Sequence, residues 1–437
     1  MSSATVRSCS LRAGAAGAIL CLSLAIVWAQ IPVRVITLEE AEKLALLNDS
    51  KLLSAEQDEL IAEERVKQAK YLFLPELGMR GAATSYSSQY PFATSAESGS
   101  LLLFPRNSAY GSSDALFAGM GYLHMSLYEG GRTLNTLKLA QAALKQAKTR
   151  LESSRRDIVL AVRRGFYGLL ALEEKTTAAQ NALKEAETIG KRAMMGPVDK
   201  IDAEGIVERL SEKASAAAHQ ERLARLSFLK VLNLELDTPF EIKGRLRETP
   251  APPEINKALL WALEFRPELQ AEGYKAQMDA ISVNLAQARR IPTVFLDGDY
   301  GVVNQSNQIQ AITQTNWDAT LGVKIHIAYD YLSQLSQKQA EQRQGDLKRS
   351  ELEDQVRLEV RNAHESVSYW QKEAPRIHAR YEEISSSLRA LAPKLGTLRR
   401  LKALESLLDL KFSLLDALAS AATARAELVR AVGRDIQ

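Results

Sequence analysis

Histidine is the residue type in this 437-residue chain that could most readily bind a metal or transfer a proton, and the chain has five histidines. His124 and His326 each lie in a short segment in which apolar and polar residues alternate, which predicts a strand with both histidines on its polar side. A polar residue there needs no further role, so metal binding is not predicted. His219, His364 and His378 lie in charged helical segments, where we expect solvated side chains.

The short motifs that carry catalysis or cofactor binding are missing from the sequence. It has no phosphate-binding glycine loop, no His-Glu-x-x-His zinc motif and no Gly-x-Ser-x-Gly nucleophile turn. Its 56 basic and 53 acidic residues nearly balance, and no long basic run indicates nucleic-acid binding. We therefore predict that the protein is not an enzyme and that it needs no cofactor or metal.

The first 29 residues have the features of a secretory signal peptide. Two arginines precede an apolar stretch over 13–28 that contains no acidic residue, and Ala29 offers a small residue for cleavage. The two cysteines of the chain, Cys9 and Cys21, both fall in this segment. The exported protein is therefore predicted to have neither a disulfide nor a cysteine metal site.

The remainder of the sequence reads as two copies of one pattern. Several residues have the same or a similar residue at the matching place in the second copy. Ala45 and Pro75 correspond to Ala262 and Pro292, and Leu123, Ala140 and Gly196 correspond to Val323, Ala340 and Gly396. Each copy predicts a helix, two strands separated by a loop, a long helix, a glycine turn and a second long helix. We predict a first structural repeat at 30–238, a proline-rich linker at 239–253 and a second structural repeat at 254–437.

The predicted strands, which include 121–128 and 321–328, have one apolar and one polar face. The residues on the apolar face, predicted to face lipid, are Leu123, Met125, Leu127, Val323, Ile325 and Ile327. The residues on the polar face, predicted to line a barrel lumen, are His124, Ser126, Asp297, Asp299, Lys324 and His326. A half-buried soluble sheet would give the same alternation. However, four strands cannot close a barrel, whereas three chains would supply twelve strands without a free edge.

Three further features favour a membrane barrel. Beyond the signal segment no apolar run approaches the ~20 residues of a membrane-spanning helix, so a membrane crossing would have to use strands. Residues 89–114 and 304–316 are rich in Ser, Asn, Gln and Gly, and we predict them to be surface loops outside the cell. Aromatic residues near the strand ends fit the girdles of such a barrel: Phe117, Trp317, Tyr128, Tyr329 and Tyr331.

The helices are predicted to be unusually long. Residues 132–195 contain no proline, and at 1.5 Å per residue such a helix would extend about 96 Å. In the second copy, apolar residues at heptad spacing indicate a coiled-coil seam, whose return arm includes Leu401, Leu404 and Leu408. Gly196 and Gly396 are predicted to end the outgoing helices in a left-handed conformation.

The sequence resembles the TolC-type outer-membrane efflux proteins over nearly all of residues 36–433. The resemblance rests on the doubled plan, on the strand-to-helix passage Leu127-Tyr128-Glu129-Gly130-Gly131-Arg132, on the paired prolines and on the tip glycines. It implies a mainly α-helical fold with a membrane β-barrel part, assembled as a homotrimer. In that assembly a twelve-stranded β-barrel, with four strands from each chain, sits in the outer membrane of a Gram-negative-type bacterium, and a long α-helical coiled-coil barrel lies in the periplasm.

The resemblance also implies a function and partners. The protein would be the passive exit duct of a tripartite efflux or type I secretion system, bound to a periplasmic adaptor (membrane fusion) protein and coupled through it to an inner-membrane transporter. The apolar residues expected to contact the adaptor are Met195, Gly196, Pro197, Val198, Leu395, Gly396 and Thr397. The alternative is that Val198 and Leu395 only close their hairpins.

A constriction is implied near the second tip. Family members close the tunnel with acidic residues six and nine positions after the second tip glycine, and these positions hold Lys402 and Glu405 here. The two residues would form either a gate of altered charge or an ordinary i, i+3 surface pair.

A different function, a soluble periplasmic coiled-coil scaffold with the strands as a small cap domain, is the alternative to the duct. The sequence does not indicate which pump or cargo is served.

Overall fold

A computed structural model describes residues 34–85, 113–192, 196–307, 311–327, 329–391 and 394–436. The predicted signal peptide therefore lies outside the described residues. The helices are α1 (Leu38–Asn48), α2 (Ser50–Tyr71), α3 (Arg132–Arg192), α4 (Pro197–Val231), α5 (Ile255–Phe265), α6 (Pro267–Ala288), α7 (Tyr331–Leu391) and α8 (Thr397–Val432). The strands are β1 (Arg34–Ile36), β2 (Glu76–Ser85), β3 (Ser113–Tyr128), β4 (Phe240–Ile242), β5 (Thr293–Asn307) and β6 (Ala311–Lys324).

Local capping chemistry sets where the short helices begin and end. Thr37 and Glu40 form a reciprocal capping box at the start of α1. Asp49 ends α1 and caps α2, because its carboxylate accepts hydrogen bonds from the backbone N–H groups of Lys51 and Leu52 at 2.8 and 3.1 Å. Pro267 occupies the first turn of α6 and separates it from α5. The helix predicted before each strand pair is therefore two helices joined at a cap.

The same order of elements occurs in both halves of the chain. Two short helices, two strands, a 61-residue helix and a helix of 35 or 36 residues follow one another, first as α1 to α4 and then as α5 to α8. The 61-residue helices extend about 92 Å at 1.5 Å per residue. Within the predicted linker, β4 pairs in parallel with β1, so this segment is attached to the beginning of the first half.

Helix packing produces three apolar clusters along the rod. The first joins α1, α3 and α4 around Phe166 and Phe228, and the second joins α5, α7 and α8 around Val360 and Leu428. The third lies nearer the hairpin ends and combines α3 and α4 of the first half with α8 of the second. The two halves therefore share a core at this end of the rod.

The four long strands form one antiparallel sheet in the order β2-β3-β5-β6. Among the described residues, β2 and β6 are edge strands with one partner each. The sheet is longer than the sequence predicted, because β5 continues to Asn307 and β6 starts at Ala311. The prediction of a loop over 304–316 was therefore wrong: backbone pairing does not depend on side-chain polarity, and the polar residues 304–306 pair with residues 311–313. Most of the other predicted loop, 89–112, lies outside the described residues.

Candidate functional site

The strand register collects the predicted polar residues on one face of the sheet. Glu76 pairs with His124, His124 with Asp297, and Asp297 with Thr320, so this row crosses all four strands on one side. The His124 imidazole contacts the Asp297 carboxylate directly. In the next row on the same face, the Tyr122 hydroxyl donates a 2.9 Å hydrogen bond to Glu76. Charged and aromatic polar groups thus satisfy one another across this face.

The opposite face of the sheet is apolar and open. Met125 pairs with Leu296, and Leu296 pairs with Leu321. Leu321 is 70% exposed and Met79 is 92% exposed, although both are large apolar side chains. The face has no protein cover among the described residues, and this is the feature that a soluble half-buried sheet would not have.

The predicted strand over 321–328 ends earlier than expected. Strand β6 stops at Lys324, so Ile325, His326 and Ile327 follow it in an irregular segment. Ile325 and Ile327 are exposed. Because Ile325 and Ile327 lie outside the strand, strand geometry does not place them on the apolar face. Leu127, near the matching end of β3, lies at a register irregularity and is also exposed.

Two glycines connect β3 to α3. Gly130 and Gly131 have φ of 64° and 81°, which L side chains rarely adopt. A Cβ on Gly130 would lie 2.6 Å from Cβ of Ile291, so the glycine also permits close contact with the turn between α6 and β5. The motif noted in the sequence thus joins the two halves where the strands meet the helices.

The tip glycines have a different conformation from the one predicted. Gly196 has φ −63° and ψ 162°, and Gly396 has φ −61° and ψ 153°. The left-handed prediction was wrong because each glycine is the extended N-cap of the returning helix, with its carbonyl accepting the first intrahelical bond from Lys200 or Arg400 at 3.0 Å. A Cβ at either glycine would meet no atom within 4 Å in this chain.

The other predicted tip residues differ in exposure. Met195 lies outside the described residues, while Pro197 begins α4 and Val198 is 73% exposed. At the second tip Leu395 and Thr397 are half-buried. Val198 does not close its hairpin in this chain, and it remains available for contact.

The two predicted constriction residues, Lys402 and Glu405, have different surroundings. Glu405 accepts hydrogen bonds from Arg209 of α4 at 2.9 and 3.0 Å and lies 3.7 Å from Lys213, whereas Lys402 is exposed on α8. The hydrogen bond from Arg209 lowers the pKa of Glu405. Glu405 is therefore paired with the other hairpin, and the i, i+3 pair with Lys402 is replaced by this inter-helix pair.

Sequence reasoning missed that this pair is one of several between α8 and the first half. The acidic members are Glu405, Asp409, Asp416 and Glu427 on α8, and their partners are Arg209, Lys213, Lys175 and Arg164. The signal was the spacing of these acidic residues along one side of α8, which matches helical periodicity. Basic residues at matching intervals along α3 and α4 would have identified the partners of these acidic residues.

No metal site or helical membrane span was found in the part of the chain that the structure describes. His364 contacts the Pro253 carbonyl and His378 contacts Glu248, while His219 is exposed. Across the described ranges, no three His, Cys, Asp or Glu side chains are grouped to hold a metal ion. Within the same ranges, no helix combines the length and hydrophobicity needed to span a lipid bilayer.

Comparisons with known proteins agree with this architecture. Residues 42–194 match the family model described as "Outer membrane efflux protein". No curated protein matches the chain in sequence. Among solved structures, the Campylobacter jejuni CmeC outer membrane channel superposes with a TM-score of 0.74 at 15% identity, covering 91% of this chain and 85% of that chain.

Two further solved structures have the same fold. The Neisseria gonorrhoeae MtrE outer membrane channel, described in its open state, gives a TM-score of 0.72 at 15% identity and covers 91% of this chain and 89% of that chain. The Vibrio cholerae outer membrane protein VceC gives a TM-score of 0.70 at 17% identity and covers 91% of this chain and 96% of that chain. The chain therefore shares its fold with these outer-membrane proteins. With the family match over 42–194, the resemblance to the TolC-type outer-membrane efflux proteins is confirmed.

Proposed function

We propose that three copies of this chain form the passive exit duct of a tripartite efflux or type I secretion system in the outer membrane of a Gram-negative-type bacterium. In this proposal three four-stranded sheets join edge to edge into a twelve-stranded β-barrel. The long helices continue the duct through the periplasm. A periplasmic adaptor binds the hairpin tips and couples the duct to an inner-membrane transporter, which supplies the energy.

The observation that carries the proposal is the uncovered apolar face of the sheet together with its two open edges. Large apolar side chains such as Met79 and Leu321 are left exposed, which is unfavourable in water by about 25 cal/mol per Å² of apolar surface. Open edges on β2 and β6 would also promote uncontrolled pairing. Pairing β2 of one copy with β6 of the next and placing the apolar face against lipid resolves both problems.

The polar face is suited to line a water-filled pore. His124, Asp297 and Thr320 cross it in one row, and Tyr122, Asp299 and Asp318 form the next. Water can solvate these groups in a lumen, whereas lipid could not. The soluble scaffold alternative provides no cover for the apolar face and is therefore less well supported.

Neighbouring residues of β6 allow a matched test. Leu321 lies on the apolar face and Thr320 on the polar face. Leu321→Lys would place a charge in lipid, at a cost of about 2–4 kcal/mol near the bilayer midplane, whereas Thr320→Lys would face the pore. We expect Leu321→Lys to reduce the amount of detergent-extracted trimer in outer-membrane fractions, and Thr320→Lys to leave it near the wild-type amount.

The wild-type protein provides the second part of the test. It should resist extraction by high salt, migrate as a trimer in detergent and form conducting pores in planar bilayers. A monomer released by salt alone would support the scaffold alternative and reject the duct. Equal trimer yields from Leu321→Lys and Thr320→Lys would reject the assignment of the two faces.

A further inference from the structure

A cavity of about 720 Å³ lies where the strands meet the helices. The positive-φ turn at Gly130 and Gly131 forms part of this junction, because it brings the start of α3 close to the turn that follows α6. The cavity is lined by the ends of β3, β5 and β6, the start of α3 and the end of α6. Its volume falls in the range of small-molecule sites, about 300–1,000 Å³.

The charged lining of the cavity has three basic residues and two acidic ones. Three basic side chains, those of Arg132, Arg289 and Lys324, contribute to the wall, and none of them makes an ion pair with another described residue. The two acidic residues of the wall also have partners: Glu129 accepts a 2.8 Å hydrogen bond from the Thr133 hydroxyl and keeps its charge, and Asp297 contacts His124. Cations without acidic partners attract anions into a cleft with low-dielectric walls.

Three of the other lining residues are apolar. Leu285, Ile291 and Phe295 contribute apolar surface beside the three cations. An inorganic anion would use only the charges, whereas an organic anion with an apolar body would contact both parts of the wall. Small-molecule sites combine apolar surface with polar groups, and this wall has both, with polar residues in the majority.

We propose that this cavity binds organic anions with an apolar or aromatic body, such as aromatic carboxylates. The proposal rests on the proposed function for its place in the molecule, because residues assigned to the lumen, including His124, Ser126 and Lys324, line the cavity. Three copies would place three such cavities around the duct where the barrel begins. The duct then carries a binding step for anionic solutes on their way out.

Ligand charge can be varied while the apolar body is kept constant. We would measure binding of 2-naphthoate, neutral 2-naphthol and the cation 2-naphthylmethylammonium to the purified full-length protein in detergent by calorimetry. The expected order of affinity is naphthoate first, with naphthol weaker and the cation weakest. Raising the salt concentration should weaken naphthoate more than naphthol, because salt screens partly exposed charges. Equal affinity for naphthoate and naphthol would overturn the proposal.

Adjacent arginines supply a matched control. Arg289 lines the cavity, whereas Arg290 points its guanidinium at the Tyr331 ring, 4.9 Å from the ring centroid, and does not line it. We expect the double variant Arg289→Gln/Lys324→Gln to lower naphthoate affinity by about tenfold, since charge-assisted hydrogen bonds are the strong ones. Arg290→Gln should leave it unchanged. Similar losses in both variants would reject the site.

Two more measurements separate the remaining interpretations. Single variants Arg289→Gln and Lys324→Gln guard against misfolding of the double variant, and each should give an intermediate affinity with unchanged thermal unfolding. Sulfate that displaces naphthoate at equal concentration would overturn the organic-anion class, because it would show that only the charges matter. Conductance is recorded separately: a conducting pore without naphthoate selectivity rejects this inference alone, whereas the absence of a pore rejects the proposed function.

Discussion

The two helical hairpins have the same plan but differ in how their outgoing arms pack. In α3 the small residues Ala179 and Ala186 are completely buried, while Ala379 and Ser386 at the matching positions of α7 are exposed. The arm of α3 packs against both α4 and α8, and the matching arm of α7 packs against α8. At these matching positions only α3 buries its small side chains, whereas α7 buries small residues at other positions, Ala374 and Ser385.

The difference shows that α8 belongs to the core of both hairpins. Its buried leucines, Leu401, Leu404 and Leu408, join the apolar cluster formed by α3 and α4. Ion pairs between α8 and the first half continue along the same helix. The last part of α7, which includes the exposed Ala379 and Ser386, is therefore not covered by the first half, and in the proposed trimer it is available to a neighbouring copy.

The largest effect is expected at the tips, where the hairpins are predicted to meet the adaptor. Gly396→Leu should abolish export, because a bulky side chain would block contact at the tip. It should leave trimer formation intact, because a Cβ at Gly396 meets no atom of this chain within 4 Å. Export would be read as the growth of a deletion strain, complemented with each variant, on a panel of toxic compounds.

Gly168→Leu is the control for the tip experiment. Gly168 also has open space around a Cβ, but it lies in the middle of α3, far along the helix from the tip. We expect the Gly168→Leu variant to export at close to the wild-type level. Full export by Gly396→Leu would remove the tip from the adaptor interface, and loss of trimer in that variant would mean that the glycine supports assembly instead.

Sequence periodicity predicted much of this architecture because it records burial along regular elements. The alternation in β3 and β6, the long helices and the buried leucines of α8 all follow from one-dimensional spacing. The conformation of Gly196 and Gly396 did not follow, because a glycine between two helices can serve as the C-cap of one or the N-cap of the next. Backbone geometry decides between these roles, and here both glycines are N-caps.

The contacts of Glu405 were beyond the sequence for a different reason. Its partner Arg209 is almost two hundred residues earlier, on another helix of the other half. Local spacing could suggest only Lys402 as a partner.

The extent of the sheet was misjudged because polar side chains over 304–316 indicated a loop. Paired strand backbones tolerate such residues when one face of the sheet is exposed to water.

The second prediction tests the buried alanines directly. Ala179→Leu inserts three carbon atoms where the side chain is fully buried, so we expect a loss of about 1–3 kcal/mol from overpacking. Ala379→Leu at the matching position of α7 should change stability by less than about 0.5 kcal/mol, because that side chain is exposed. Thermal and denaturant unfolding in detergent would measure both. Equal losses would mean that the two arms are packed alike in the assembled protein.

The smallest effect concerns the ion pair between α4 and α8. Arg209 is 54% exposed and Glu405 is 17% exposed, so solvent screens the pair and we expect only a weak coupling energy. A double-mutant cycle with Arg209→Gln and Glu405→Gln would measure it. The exposed intrahelical pair Lys200–Glu204 is the control, and its coupling should be smaller still.

The pH dependence of this coupling distinguishes an ion pair from simple packing. The hydrogen bond from Arg209 lowers the pKa of Glu405 below its ordinary value of 4.5 in the folded chain. The pair therefore contributes stability above the pKa of the unfolded chain, and this contribution is lost as the pH falls through the lowered pKa of Glu405. We expect coupling that is constant from neutral pH down to about pH 5 and that decreases in more acidic solution. Coupling that does not decrease at any acidic pH at which the protein stays folded would mean that Arg209 and Glu405 hold the helices together by packing rather than by charge.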